Sequence, residues 1–283
     1  MMKPQAEILS QRLEQLITNS LAVCLSRLRL PACCAAVLLA VGIAAGQPAT
    51  TNLPLAPPSE SESLDRIRAL LADKSHPLTW VFTGDSITHG AKHTHGSRTY
   101  VEHFAERVRW ELGRVQDIVI NTGISGDKAE GILRAFEWRI GRFKPDVVSI
   151  MIGMNDCTRG PKKREEFRTN LCQLIRRTRA LGAVPVLHTQ NTIEPSAAQE
   201  RGDLPAYATI VAEVAHDEKA VLVDHWRHWQ TACQDPQMLK QWLNEPIHPN
   251  ARGHREFAIL TFQVLGIYST NSPTCQPTPP LFP

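Results

Sequence analysis

Thr79-Trp80-Val81-Phe82-Thr83-Gly84-Asp85-Ser86-Ile87-Thr88 joins an apolar run, rich in β-branched and aromatic residues, to a serine through a single glycine and aspartate. Residues Thr79 to Thr83 read as a strand, and the lack of strict polar alternation is the pattern of a strand buried on both faces. Gly84 permits a tight turn, and a helical turn starting near Ser86 leaves free N–H groups at its beginning. A hydroxyl held at that point can serve as a nucleophile beside amides aimed at an oxyanion. A lone Asp-Ser pair is more often an ordinary helix cap, so the case for chemistry depends on what else reaches the same edge.

Four further runs of the same kind follow, at Asp117 to Asn121, Asp146 to Ile152, Val184 to His188 and Ala220 to Val223. Between them the apolar spacing becomes helical near Arg98 to Gly113, Lys128 to Ile140, Lys162 to Leu181 and Leu204 to Glu218, and a last helix is expected from Ala251 to about Leu265. Strands separated by helical crossovers predict an α/β fold, a three-layer α/β/α sandwich with a five-stranded parallel sheet. In open sheets of this type ligands bind beyond the carboxyl ends of the strands, so the residues just after each strand carry the functional information.

After the second strand comes Asn121-Thr122-Gly123-Ile124-Ser125-Gly126-Asp127, and after the third Gly153-Met154-Asn155-Asp156. Acyl transfer needs donors aimed at a developing oxyanion, and the Gly126 backbone N–H and the Asn155 side-chain amide are suitable ones. Each segment alone is more often loop punctuation. Beyond the fifth strand lies Asn244-Glu245-Pro246-Ile247-His248-Pro249-Asn250. A turn-like conformation can bring the Glu245 carboxylate to one imidazole nitrogen of His248 while the other faces the site, orienting a general base.

Taken together, Gly84-Asp85-Ser86, Gly126, Gly153-x-Asn155-Asp156 and His248-Pro249-Asn250 resemble the SGNH, or GDSL-type, hydrolases, over nearly the whole span from Trp80 to Gly266. The resemblance implies a flavodoxin-like sheet with no metal and no cofactor. It also implies Ser86 as nucleophile, His248 as base, and the Ser86 and Gly126 amides with Asn155 as the oxyanion hole. The family usually carries an aspartate three residues before the histidine. Glu245 stands there in this chain, which leaves its part as the acid of the triad open.

The ends of the chain read differently from this body. Arg27 and Arg29 precede an apolar run from Ala32 to Ala45 that closes on small residues, the pattern of an export signal over 1–46, with a mature chain beginning near Gln47. The run is shorter than the roughly 20 residues of a spanning helix, and a retained membrane anchor is the alternative. The helix-like spacing of Ile8, Leu13, Leu16, Ile17 and Leu21 suggests a start assigned too early. Residues 47–63 read as a Pro- and Ser-rich linker, 64–268 as the hydrolase domain, and 269–283 as an irregular Pro-rich tail on the surface. The formal charge is +3, and without residues 1–46 it falls to 27 basic against 26 acidic side chains, which gives no electrostatic case for nucleic acid. Outside the signal stand Cys157, Cys172, Cys233 and Cys275, compatible with one or two disulfides, Cys275 pinning the tail, or equally with free buried thiols.

Three groups could be mistaken for functional devices. His89, His93, His95 and His103 follow the serine and read as a polar surface loop, with a metal pair or a cleft lining as alternatives. Arg159, Lys162, Lys163 and Arg164 read as a solvated helix start, with an anionic-substrate patch as the alternative. His225, Trp226, His228 and Trp229 fit a cleft wall and ordinary packing equally well. The expectation is a secreted or periplasmic ester hydrolase that removes short acyl groups such as acetyl from carbohydrate. Its partners would be small-molecule or polysaccharide esters, with no stable membrane partner after signal removal. A lysophospholipase-like or general short-chain esterase and a non-catalytic carbohydrate-binding module are the alternatives.

Overall fold

The computed structural model describes residues 59–276. The export signal, the linker up to Pro58 and the tail from Pro277 onward lie outside the described residues. The first element, α1 (Glu60–Ala72), corrects the linker boundary, because it begins inside the stretch expected to be irregular. Ser59 accepts from Glu62 N through its hydroxyl while the Glu62 carboxylate accepts from Ser59 N, a reciprocal capping box that starts the helix. Ile67 and Leu71 then bury one face. The Ser and Glu residues that resemble linker composition form a helix cap and first turn, so ordered structure is present before Leu64.

The sheet consists of β1 (Thr79–Gly84), β2 (Ile118–Asn121), β3 (Val147–Met151), β4 (Val184–His188) and β5 (Val221–Val223), all parallel, in the order β2-β1-β3-β4-β5. This is the flavodoxin-like order, in which the chain reverses its direction of travel across the sheet between β1 and β3. Val81 pairs with Ile120 on one side and Val148 on the other. β3 and β4 are buried throughout, and their two polar side chains, Ser149 and His188, pair with each other at 2.8 Å. β2 departs from that expectation: it is an edge strand, and Ile118 is 55% exposed.

Helices cover both faces. α3 (Tyr100–Glu106) packs with α10 (Ala251–Leu265), which also meets α1, while α6 (Arg164–Ala180) packs with α4 (Ala129–Arg134) and α7 (Leu204–Asp217). On α6, Phe167, Leu171, Leu174, Ile175 and Thr178 form the buried stripe of an amphipathic helix. The expected helix over Lys128 to Ile140 is two pieces, α4 and α5 (Phe136–Arg139), parted at Ala135. The expected helix to Gly113 passes from α3 into a wider π-type turn at Arg107–Glu111.

That turn anchors the tail. Glu111 accepts from Thr274 N at 2.9 Å, from Thr274 Oγ1 at 2.6 Å and from Arg107 Nη1 at 2.9 Å, and it also takes the Ser272 hydroxyl. The described part of the tail is therefore docked, with Ser272, Thr274 and Cys275 buried, contrary to the expected irregular surface segment. A carboxylate holds it in place of the disulfide envisaged at Cys275: Cys157, Cys172, Cys233 and Cys275 are all free thiols.

Buried titratable groups give the fold a defined pH response. Burial holds His103, His188 and His254 down to about 3, and burial with the neighbouring His188 and His228 holds His225 well below 6.5. Unfolding lets each take up a proton, so their contribution to stability is present above pH 6.5 and lost as the pH falls toward the folded values. Asp85 and Asp156, pushed up to about 7 by burial, act oppositely, since they are protonated when folded and ionise on unfolding above about pH 4. Four imidazoles against two carboxyls leave a net uptake of about two protons on unfolding near pH 5. The melting temperature should thus rise from pH 4.5 to 6.5, and a scan in which it falls over that range would contradict this balance.

Candidate active site

The reversal between β1 and β3 leaves a crevice at the carboxyl edge of the sheet, and the nucleophile candidate stands in it. Gly84 is needed because a Cβ there would lie 2.2 Å from Met151 O of β3 and 2.4 Å from Thr88 Oγ1. The chain then turns into α2 (Ser86–His89), with Asp85 as its cap: Asp85 Oδ1 accepts from Ile87 N at 3.0 Å. The capping role thus belongs to Asp85, and the Ser86 hydroxyl is directed elsewhere. Ser86 Oγ lies 2.8 Å from His248 Nε2, and His248 Nδ1 lies 2.7 Å from Glu245 Oε2.

The imidazole is presented by the loop between α9 (Pro236–Trp242) and α10. Leu243 and Pro249 form an antiparallel bridge, Asn244 N donates to His248 O at 2.9 Å, and His248 N donates to Glu245 O at 3.2 Å. Asn250 closes the loop by capping α10, its Oδ1 accepting from Arg252 N and Gly253 N. The three-residue spacing of Glu245 and His248 is therefore one tight turn. An ionised carboxylate only accepts, so the proton of neutral His248 sits on Nδ1 and the Nε2 lone pair faces Ser86. Burial lowers the His248 pKa, opposed by the hydrogen bond that its Nδ1 donates to Glu245. Burial works to raise the Glu245 pKa, but its hydrogen bonds and charge interactions with His248 and His93 outweigh it, and the net position is below the ordinary carboxylate value.

Gly126 and Asn155 reach the same edge and are tied together. Ile124 N donates to Gly84 O at 3.0 Å, and the Ser125 hydroxyl pairs with His89 Nδ1 at 3.0 Å, which docks the loop after β2 onto β1 and α2. Gly126 takes a φ of +81°, a left-handed conformation that favours glycine. Asn155 Nδ2 donates to Asp127 O at 3.1 Å, and its Oδ1 lies 3.5 Å from Arg201 Nη2, so the amide is oriented from both ends. A groove of about 790 Å³ runs along the outer side of Glu245, past Asn244, Lys240 and Gln230. A smaller hollow of about 260 Å³ shares Gln230 with it and is bordered by Trp226 and Arg201.

Two residues at the site carried no distinguishing signal in sequence. His93 belongs to the group expected to be a surface loop, yet it lies against His248 with ring centroids 3.5 Å apart and an interplanar angle of 18°. Its Nδ1 is 3.3 Å from Glu245 Oε2. Only the tertiary fold brings it across from position 245. Arg139, at the end of α5, is buried and staples the end of β1 to the loop after β2: Nη2 donates to Gly84 O at 3.0 Å, Nε to Thr122 O at 3.1 Å, and Nη1 pairs with Asp127.

The ring nitrogens of His93 and His248 and the Glu245 carboxylate lie within 4.8 Å of one another, the spacing of a candidate metal ligand set. Imidazole binds a metal through a lone pair in the ring plane, at about 2.1 Å. Two rings stacked face to face cannot both point such lone pairs at one ion, so this arrangement is a hydrogen-bonded one. Of the other groups singled out in sequence, Arg159 pairs with Glu130 and Glu166, Lys163 with Glu166, and Arg164 with Asp203, which neutralises much of the presumptive cationic patch. His225 and Trp229 are fully buried against Phe257 and belong to the core, whereas Trp226 borders the smaller hollow.

A flavodoxin-like sheet with a serine, an imidazole and a carboxylate in series at its carboxyl edge defines a hydrolase architecture, and comparison with known proteins gives the family. Residues 82–256 match the GDSL-like Lipase/Acylhydrolase family, and the chain belongs to it. It is a carboxylic ester hydrolase of the SGNH type, which sets aside the non-catalytic binding module. An acetylxylan esterase of Geobacillus stearothermophilus is 27% identical over 206 residues, 66% of this chain and 93% of that protein. An uncharacterized protein of Mycoplasma pneumoniae is 29% identical over 136 residues, 47% of this chain but only 14% of its own length. Among solved structures, LAE5, an alpha/beta hydrolase enzyme from the metagenome of Lake Arreo, superposes with a TM-score of 0.58 at 25% identity, covering 67% of this chain and 95% of its own. Among the described residues no helix is long and apolar enough to cross a membrane.

The staple formed by Arg139 gives a direct test of how the loops are held. Arg139→Met keeps the bulk of the side chain but removes every donor and leaves buried carbonyls and the Asp127 carboxylate without their partner. Loss of about 3 kcal/mol of unfolding free energy is expected in denaturant titration, and a change below about 0.5 kcal/mol would mean that the loops are held by other contacts.

Proposed function

We propose that the protein is an exported esterase in which Ser86 is the nucleophile, His248 the general base and Glu245 the carboxylate that orients it, and that it removes short acyl groups such as acetyl from carbohydrate. The observation that carries the catalytic part is the series Ser86 Oγ to His248 Nε2 at 2.8 Å and His248 Nδ1 to Glu245 Oε2 at 2.7 Å. His248 takes the hydroxyl proton as Ser86 Oγ attacks the ester carbonyl. The Ser86 and Gly126 amides and Asn155 Nδ2 stabilise the oxyanion, and its collapse expels the alcohol, which takes the proton back from His248. Water, deprotonated by the same imidazole, then cleaves the acyl-enzyme and releases the carboxylic acid and free Ser86.

The named activity of the Geobacillus relative supports acetylated polysaccharide as the substrate. So does the groove beside Glu245, where Gln230, Lys240 and Asn244 offer hydrogen bonds suited to a hydroxyl-rich alcohol. Export is proposed on the apolar run Ala32 to Ala45 behind Arg27 and Arg29. Amino-terminal sequencing of the mature protein should then read from near Gln47.

Wild type and Ser86→Ala should be compared on acetylated xylo-oligosaccharide, neutral short-chain esters and lysolipid. Turnover by Ser86→Ala should fall by about 10³-fold or more with the melting temperature unchanged, and full activity in that variant would overturn the assignment. Asn155→Ala should lower kcat by about 100-fold or more, as loss of one oxyanion donor does. Because His248 must be neutral to accept the proton and burial lowers its pKa, the acid limb of kcat/KM should have its midpoint below 6.5. A midpoint above that value would point to a different base.

A further inference from the structure

We propose that His93 is a positioning residue for the proton relay, holding the Glu245 carboxylate and the His248 ring in register so that a glutamate can serve where the chain must reach one bond further than an aspartate. The proposal rests on the reading of Ser86, His248 and Glu245 given above. Its geometry has three parts. His93 Nδ1 lies 3.3 Å from Glu245 Oε2, the same oxygen that His248 Nδ1 approaches at 2.7 Å. The His93 ring covers one face of the His248 ring at a centroid separation of 3.5 Å. The backbone of His93 is itself fixed, since Asn244 Nδ2 donates to His93 O at 2.9 Å and so joins the turn Ala91–Thr94 to the residue preceding Glu245.

These contacts answer a specific problem. Glu245 has one more rotatable bond than an aspartate, and its side chain is 39% exposed, so its carboxylate has freedom to swing into the adjoining groove. Because a carboxylate only accepts, both imidazoles present Nδ1–H to it, and two donors on one oxygen restrict it more than one does. The stacked ring blocks rotation of His248 away from Ser86 on that face. His93 side-chain exposure is only 12%, consistent with a part inside the site. The charged and titratable groups acting on His248 are Glu245, His93 and Arg201, of which His93 and Arg201 oppose its protonation and Glu245 favours it.

Three variants separate the contacts: His93→Gln keeps a donor and loses the aromatic stack, His93→Phe keeps the stack and loses the donor, and His93→Ala loses both. The measurements are kcat and KM on an acetyl ester, the acid limb of kcat/KM, and the rate at which a serine-directed phosphonate labels Ser86, which needs no natural substrate. His93→Ala should lower kcat and the labelling rate by about tenfold or more with KM little changed, and its acid limb should move from the wild-type position. His93→Gln and His93→Phe should each recover part of the loss. Melting temperatures of the three variants identify any that are unfolded, and Gln and Phe each provide a folded comparison if Ala is not. If all folded variants label and turn over at wild-type rates with an unmoved acid limb, the proposal is wrong. Ser86→Ala in the same assays distinguishes the two levels: its full activity would remove the underlying reading, whereas its inactivity beside unaffected His93 variants would remove only the part assigned to His93.

Discussion

The 2.8 Å contact between Ser86 Oγ and His248 Nε2 joins positions 162 residues apart, and the sheet order is the constraint that makes it possible. With β1 beside β3 and β2 outside them, the crossover from β1 to β2 lies on one face and the one from β2 to β3 on the other, and the edge between them is left uncovered. Ser86 enters from β1, Asn155 from β3, and His248 returns from beyond β5 on the loop before α10. α10 packs on α3, which follows β1, so the helix that carries His248 at its start is fixed against the same half of the sheet that carries Ser86. The contact depends on this packing as much as on the loop that displays the ring.

The price of placing polar chemistry at a buried edge is visible in its surroundings. Asp85 is fully buried, and desolvation with the nearby Asp156 and Asp127 pushes its carboxyl up, while Ile87 N works against that by donating to it. Asp156 is pushed up by burial, and it accepts from Ala129 N at 3.0 Å, which works against that. Both carboxyls are shared between a cap and a loop junction, so their burial serves geometry: they bind backbone amides that would otherwise be orphaned at the starts of α2 and α4. Arg139 supplies the complementary device by gathering carbonyls from β1 and the loop after β2. The site thus stands on donors and acceptors buried beneath it, and its loops have little freedom to drift.

How far sequence carries this picture depends on whether a feature is local. All five strands fall within one residue of their expected bounds, because apolar runs between turn residues are short-range signals. α10 is equally plain, bounded by the Asn250 cap and by Gly266. The residues at the carboxyl ends of β1, β2 and β3 and before α10 are legible for the same reason, since a parallel sheet sends them all to one rim. What sequence does not disclose is burial imposed from elsewhere. β2 has the composition of a central strand and becomes exposed only because nothing pairs beyond it. The beginning of α1 is hidden because Ser and Glu serve linkers and capping boxes alike. α8 (His225–Ala232) and α9 are short, and their buried tryptophans carry no period long enough to read. His93 is the sharpest case: four histidines within fifteen positions read as a polar loop, and only the approach of the Glu245 turn selects one of them.

That selection bears on why a glutamate can occupy the position where the family usually has an aspartate. An aspartate three residues before the histidine is held by its own brevity. A glutamate must be held by its neighbours, and here the turn supplies them. Pro246 follows it and accepts from Glu194 N at 2.9 Å through its carbonyl, fixing the backbone, while Asn244 on its other side binds the His93 backbone. Asn191 Nδ2 donates to Ile247 O at 3.2 Å, so each residue from 244 to 248 has a tertiary or turn contact. With the backbone so fixed, the extra methylene of Glu245 carries the carboxylate outward between two imidazoles, where it meets one within 2.7 Å and the other at 3.3 Å. The added reach of the longer side chain is thus met by an added partner.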